Sequence, residues 1–293
     1  MNGFSAYHPT ATAVYFASVL LIAMFVSHPL IAVTAFLGGA LFFLKVEEKT
    51  KRFKGNLFYV LFFAVVVVTN PLFSHNGKTV LLFVNGNPIT LEALLYGLNL
   101  GIMLLAVLYW FKCFSLIMTA DKLLYLCGRM SPKLALLLSS SLRFLPQFQL
   151  QADKIRQAQK AMGLYTSDIW TDKLRAAARV YSVLITWALE HAIDTGSSMK
   201  ARGYGLKGRS HYALFTFRSA DTCLLVTTIV LDTIVLAAMA AGKLDFIFYP
   251  SIAAGPLSLC GMLGMSAFAL LAFLPFMLEV KEDVQWRYYR SKI

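Results

Sequence analysis

Lys160-Ala161-Met162-Gly163 and Lys200-Ala201-Arg202-Gly203 read almost alike, and both lie in the stretch from Ser131 to Arg209, whose reading decides the fold. Apolar residues recur through its first half at Leu138, Leu142, Leu145, Phe148, Ala152, Ile155 and Ala158. Through its second half they recur at Leu174, Ala178, Tyr181, Ile185, Ala188, Ala192, Thr195 and Met199. Steps of three and four residues set each group on one stripe of a helix, with Arg143, Lys154, Arg156, Arg175 and Arg179 off the stripe. Pro146 is expected to kink the first helix. Gly163 and Gly203 fall just past the helix ends, where a left-handed residue closes a helix. The run Tyr204-Gly205-Leu206-Lys207-Gly208-Arg209 suits a tightly turning chain. These helices are too polar to cross a bilayer and too apolar on one face to float free. They are expected to lie along a membrane surface with their C-terminal ends presented as a docking device. Arg202 there is a planar cation suited to a carboxylate partner, and a helix C-terminus favours a cation even without one.

Around this stretch the chain is apolar. Of 293 residues, 58% are hydrophobic and the mean hydropathy is +0.65, against roughly 45–50% apolar in soluble domains. Apolar runs fall at about 11–27, 29–44, 57–73, 91–118, 221–242 and 251–279. They predict a polytopic membrane protein, the first two runs being near the lower limit for a crossing. His28-Pro29 and Asn70-Pro71 mark turns. The first ten residues lack a basic start and a cleavage site, so the first run is expected to be retained. Gly97 and Gly101 in the fourth run permit close helix packing.

The charges set the topology. Lys and Arg number 5 over 45–56 (Lys45, Lys49, Lys51, Arg52, Lys54), 15 over 119–220 and 4 over 280–293, but 1 each over 74–90 and 243–250. Alternate loops are thus rich and poor, as six spans with both termini cytoplasmic require. The net charge of +12 fits anionic headgroups. The basic central region lacks the aromatic-studded groove of a nucleic-acid binder.

Other candidate chemistry is thin. Cys113, Cys127, Cys223 and Cys260 are scattered without a Cys-x-x-Cys pair and read as small buried hydrophobes. Glu190 and His191 lack a second histidine or carboxylate at usable spacing, so acid–base catalysis is not expected. Asn76-Gly77-Lys78-Thr79 resembles the end of a phosphate loop, but Leu72 stands where the earlier glycine is required. The spans carry almost no paired ionisable groups, which argues against an intramembrane enzyme. A self-sufficient secondary carrier is the alternative; it would show helix-broken midspan sites or repeated halves.

Ser141-Leu142-Arg143-Phe144-Leu145-Pro146, Ile155 to Gly163, Trp187-Ala188-Leu189-Glu190 and Ser198-Met199-Lys200-Ala201-Arg202-Gly203-Tyr204-Gly205 together resemble the transmembrane T component (EcfT or CbiQ-like) of energy-coupling factor transporters. The resemblance covers about 131–209, with His8-Pro9 as a weaker match. It implies two cytoplasmic coupling helices, each ending in an Ala-Arg-x motif that docks in a groove of an ABC-type ATPase subunit. It further implies a separate substrate-binding S component, and uptake of a vitamin or a transition-metal ion such as cobalt or nickel. The docking residues it assigns are Ala201, Arg202, Gly203, Ala161, Met162 and Gly163, with Arg143, Pro146, Lys160 and Lys200 in support. Met162 departs from the pattern, which has arginine there; it extends the apolar stripe four residues beyond Ala158 and can dock by packing, with Lys160 or Arg156 as nearby charges.

The expected chain is therefore an all-α polytopic integral membrane protein of about six transmembrane helices plus two long amphipathic cytoplasmic coupling helices. Residues 1–118 form an N-terminal membrane region, 119–220 the coupling-helix region, 221–280 a C-terminal membrane pair and 281–293 a basic cytoplasmic tail. It is a non-catalytic subunit without cofactor or metal, in a bacterial or archaeal plasma membrane. Its expected partners are ABC-type ATPases, as two copies or a heteropair, an S component and lipid, with no nucleic acid.

Overall fold

Proline's fixed φ suits the first position of a helix, and Pro9 opens the first one, capped by His8, whose Nδ1 accepts the Thr10 N–H at 3.3 Å. The His8 backbone N–H in turn donates to Asp221 Oδ1 at 2.7 Å, while Asp221 Oδ2 accepts the Arg218 N–H at 2.8 Å. One buried carboxylate thus closes the starts of two helices, through a bond between residues 213 positions apart in sequence.

The computed structural model describes residues 3–46, 52–74, 76–84, 87–164, 170–206, 215–254 and 258–291. In chain order the helices are α1 (Pro9–Phe25), α2 (Pro29–Val46), α3 (Arg52–Phe73), α4 (Leu91–Ile117), α5 (Ala120–Met130), α6 (Pro132–Ala161), α7 (Trp170–Ala201), α8 (Ser219–Ala240) and α9 (Leu259–Arg290). Two short antiparallel ladders interrupt them, β1 (Val80–Val84) with β2 (Asn87–Thr90), and β3 (Phe246–Ile247) with β4 (Ala253–Ala254). The chain divides into two compact units, Met1–Leu123 with Phe215–Ile293, and Leu124–Leu214; the division falls within α5. Lys49, Lys51 and the Lys207-Gly208-Arg209 end of the glycine-rich turn lie outside the described residues.

In the first unit α2 packs between α4 and α9, α3 lies on α4, α8 lies on α9, and α1 meets both α4 and α8. The core is aromatic. Phe4 is fully buried, with the rings of Tyr15, Phe16 and Phe42 edge-on at 5.2, 5.9 and 5.7 Å. Its N–H donates to Glu279 Oε1 at 2.8 Å. Buried rings with a polar tip need a partner: Trp110 Nε1 donates to the Ala35 carbonyl at 2.9 Å and the Tyr15 hydroxyl to the Leu271 carbonyl at 2.8 Å. At the start of α5, Lys122 donates to the Ser5 carbonyl at 2.6 Å, and burial lowers its pKa below the ordinary lysine value.

Close approach is made by glycine. A Cβ on Gly38 would lie 2.7 Å from the Ala272 carbonyl oxygen, so α2 and α9 touch backbone to backbone. On α4, a Cβ on Gly97 would lie 2.9 Å from Asn70 Cβ and one on Gly101 2.9 Å from the Phe63 ring. The Gly97/Gly101 pair therefore seats α3.

Among the described residues four helices, α2, α4, α8 and α9, are long and apolar enough to cross a membrane; α1 and the Phe58–Phe73 part of α3 are apolar but shorter. The 17 residues of α1 rise about 26 Å against a hydrocarbon core of about 30 Å. Two expected boundaries move. The last helix begins at Leu259 rather than near 251, because Pro250 and the β3–β4 ladder precede it. It then runs through Arg290, since Lys281 to Arg290 contains no glycine or proline to stop it. The phosphate-loop-like turn has its donors engaged elsewhere: the Thr79 hydroxyl donates to Glu92 Oε2 at 2.7 Å, and the Lys78 and Thr79 amides both donate to Glu92 Oε1 at 3.3 Å.

Candidate functional site

Pro132 opens α6, which continues through Pro146 to Ala161. Asp172 in the first turn of α7 and Lys200 in its last both suit the helix dipole. The pair packs antiparallel. Phe144 meets His191 at 5.5 Å between ring centroids and Phe148 meets Trp187 at 5.6 Å. Farther along, Ala152 and Arg156 of α6 share an open groove of about 400 Å³ with Lys173, Ala177, Val180, Tyr181 and Leu184 of α7. Rising numbers on α6 thus meet falling numbers on α7.

The seam departs from the first half of the expected second stripe, while Ala188, Thr195 and Met199 of its second half are half-buried. Ala176 and Val180 are buried and Leu184, Trp187 and His191 half-buried, whereas Leu174 and Tyr181 stay 58% and 65% exposed. The reason is the breadth of the apolar arc on α7. Small residues at 176 and 177 allow a close approach, and only this face sets Trp187 and His191 against the phenyl rings of α6. On α6 Phe148, Ala152 and Ile155 of the stripe are half-buried, while Leu138, Leu142, Leu145 and Ala158 are exposed.

The two helix ends are geometrically the same. At the first, Met162 N–H donates to Ala158, Gly163 N–H to Lys160 at 3.0 Å and Leu164 N–H to Gln159 at 3.1 Å, with Gly163 at φ +72°. At the second, Arg202 N–H donates to Ser198, Gly203 N–H to Lys200 at 3.0 Å and Tyr204 N–H to Met199 at 3.0 Å, with Gly203 at φ +80°. Both are the two-bond closure in which a left-handed glycine lets its own amide and the next one fold back onto the last turn. The second continues into a tighter turn, Leu206 N–H reaching the Gly203 carbonyl at 3.3 Å with Gly205 at φ +96°. The same closure ends α8 at Gly242 and Lys243, so it is the residues and their exposure that mark the two ends. Ala161, Met162, Gly163, Ala201 and Arg202 are all exposed, Met162 by 66%.

Antiparallel packing puts the two ends at opposite extremities of the pair, and the 32 residues of α7 rise about 48 Å. Lys160 and Lys200 sit exposed in the last turns. Arg143 is exposed, its guanidinium carbon 5.7 Å from the neighbouring Phe144 ring. His191 is an aromatic packing partner, flanked by Trp187 and Phe144. Two features escape a linear reading of the sequence. Arg179 of α7 donates from Nη2 to the Leu164 carbonyl at 3.3 Å, next to the first end. The four-ring clasp of Phe144, Phe148, Trp187 and His191 was signalled only by two aromatic pairs at i, i+4.

Residues 5–212 match the sequence profile of the CbiQ family, described as cobalt transport protein. The energy-coupling factor transporter transmembrane protein EcfT of Listeria innocua is 44% identical over 102 residues, 34% of this chain and 38% of that protein. EcfT of Bacillus subtilis is 37% identical over 101 residues, 34% and 38% of the two chains. EcfT of Lactococcus lactis is 34% identical over 106 residues, 36% and 40%. These alignments span about two fifths of each relative. With the family profile covering most of its length and four helices apolar enough to cross a bilayer, the chain is an integral membrane protein that belongs to the CbiQ family.

Proposed function

We propose that the chain is the T component of an energy-coupling factor importer, a non-catalytic scaffold that passes ATP-driven motion from ABC-type ATPase subunits to a substrate-binding S component. The observation that carries this reading is the pair of identically closed, exposed helix ends at Ala161-Met162-Gly163 and Ala201-Arg202-Gly203 on one antiparallel helix pair. Each end is a rigid knob, its backbone fixed by two closing hydrogen bonds, and each is suited to a groove on one ATPase subunit. Arg202 offers its groove a bidentate cation, while Met162 offers a flexible apolar side chain that fills irregular space. ATP-driven approach of two ATPases would press on ends about one helix length apart. The pair would turn about its aromatic seam, and the membrane helices would carry that motion to the S component.

Six spans, a cytoplasmic helix pair and cytoplasmic termini complete the proposal, supported by the alternation of basic and charge-poor loops. The cell would be bacterial or archaeal, and the cargo a vitamin or transition-metal ion selected by the S component. Unlike ends would suit a heteropair of ATPases.

The test is purification of the chain from its native membranes with identification of what accompanies it. An ABC-type ATPase and a second polytopic protein are expected. Substrate uptake into vesicles holding this chain alone, without ATP, would overturn the proposal in favour of a secondary carrier.

A further inference from the structure

Met162 leaves the first end of the helix pair without the cation that Arg202 gives the second, yet the surroundings of that end are cationic. Arg179, one turn before Val183 on the neighbouring helix, is exposed and reaches past the end of α6 to donate from Nη2 to the Leu164 carbonyl at 3.3 Å. Leu164 is itself the residue whose amide closes the end onto Gln159. The guanidinium is therefore held beside Met162 and Gly163 by the same turn that forms the knob. A guanidinium carries five N–H donors in a planar fork, so one bond to a carbonyl leaves the rest for an incoming carboxylate. Among the described residues, the acids nearest this end are already matched: Asp153 lies 3.4 Å from Arg156 and Asp172 lies 3.5 Å from Arg175, each one turn away. Lys160 in the last turn of α6 adds to the positive field.

We propose that Arg179 supplies at the first helix end the cation that Arg202 supplies at the second, so that both ends offer a carboxylate-bearing ATPase groove an arginine, one from within the motif and one from across the helix pair. The inference rests on the docking reading above and adds a residue to it. It also gives the arrangement a physical consequence. The cation at the second end moves with α7 alone, whereas at the first end it stays in place only while α6 and α7 remain packed.

The test uses the full-length chain in detergent or nanodiscs with the ATPase subunits that co-purify with it. Binding is titrated for wild type, Arg179→Gln, Arg202→Gln, and Arg179→Gln combined with Met162→Arg. Glutamine removes the charge and is too short to keep the bond to the Leu164 carbonyl, so a role confined to pinning the turn is told apart by the salt dependence and by rescue with Met162→Arg. Loss of one charge-assisted contact is expected to weaken binding about tenfold or more and to flatten the salt dependence. Met162→Arg is expected to restore both. Wild-type affinity in Arg179→Gln, with Arg202→Gln weakened, would overturn the Arg179 assignment and leave docking at Arg202 standing. Wild-type affinity in both single variants would overturn the docking reading and this inference with it. Weakening of Arg179→Gln that Met162→Arg fails to restore, at unchanged salt dependence, would reduce Arg179 to a structural residue and also overturn the assignment.

Discussion

Trp187 and His191, one turn apart on α7, stack ring on ring with centroids 5.1 Å apart and planes 9° from parallel. Phe148 meets the edge of the first and Phe144 the edge of the second, at 5.6 and 5.5 Å. The four rings clasp α6 against α7, and in an account where the two helix ends receive force they sit at the point about which the pair would turn. His191→Ala should cost about 1 kcal/mol of helix-pair stability, read as roughly fivefold faster amide exchange along α6 and α7. His191→Phe, which keeps a flat ring, should recover most of it. Equal exchange in both variants would show that the stack contributes nothing.

Gly163→Ala and Gly203→Ala should each destabilise their helix end by about 1 kcal/mol, because φ of +72° and +80° penalises a Cβ. Among the described residues nothing lies within 4 Å of a Cβ at Gly163, so there the cost is the backbone's; at Gly203 the Leu206 side chain would be 3.0 Å away and must also shift. Asparagine should cost less than alanine at both positions. Exchange rates of the Leu164 and Tyr204 amides, which close the two ends, report the effect directly.

How much of this was legible in the sequence varies by residue. Both helix ends were, since glycine after a stretch of 3.6-residue periodicity has one common structural use. The helical membrane class was legible too, because apolar runs of that length have few other homes. The seam of α7 was not: Leu174, Ala178, Tyr181 and Ile185 satisfy the periodicity as well as Ala176, Val180 and Leu184 do, and the choice was made by rings on the other helix. Arg179 at the first end was illegible for the same reason, since a contact across 15 positions depends on how two helices are packed. The start of α9 slipped because the apolar run from about 251 opens with the short strand Ala253–Ala254 rather than with helix.

In the membrane unit, Gly38→Ala should be more damaging than Gly101→Ala. The added methyl at Gly38 meets a backbone carbonyl oxygen at 2.7 Å, which cannot rotate away, whereas at Gly101 it meets the Phe63 ring at 2.9 Å, which can. Overpacking of this kind costs about 1–3 kcal/mol, so Gly38→Ala should fall near the upper end and Gly101→Ala near the lower. Melting temperatures in one detergent give the order, and a reversed order would contradict the α2–α9 contact.

Asp221→Ala should cost about 2–4 kcal/mol, because it strands two backbone donors, His8 N–H and Arg218 N–H, that now bond to the carboxylate at 2.7 and 2.8 Å. Asp221→Asn, with one acceptor oxygen instead of two, should lose about half as much. Folded yield after solubilisation and the melting temperature check both values.

The central claim is that Arg202 sits in an ATPase groove, and the most direct measurement is the affinity of the purified chain for its co-purifying ATPase in wild type and in Arg202→Glu. The exposed side chain at the tip of α7 can be reversed in charge without disturbing the closure, which is made by backbone groups. The account predicts that Arg202→Glu retains its fold and its S component but loses ATPase binding by about a hundredfold or more. Undiminished ATPase binding in the charge-reversed chain would contradict it.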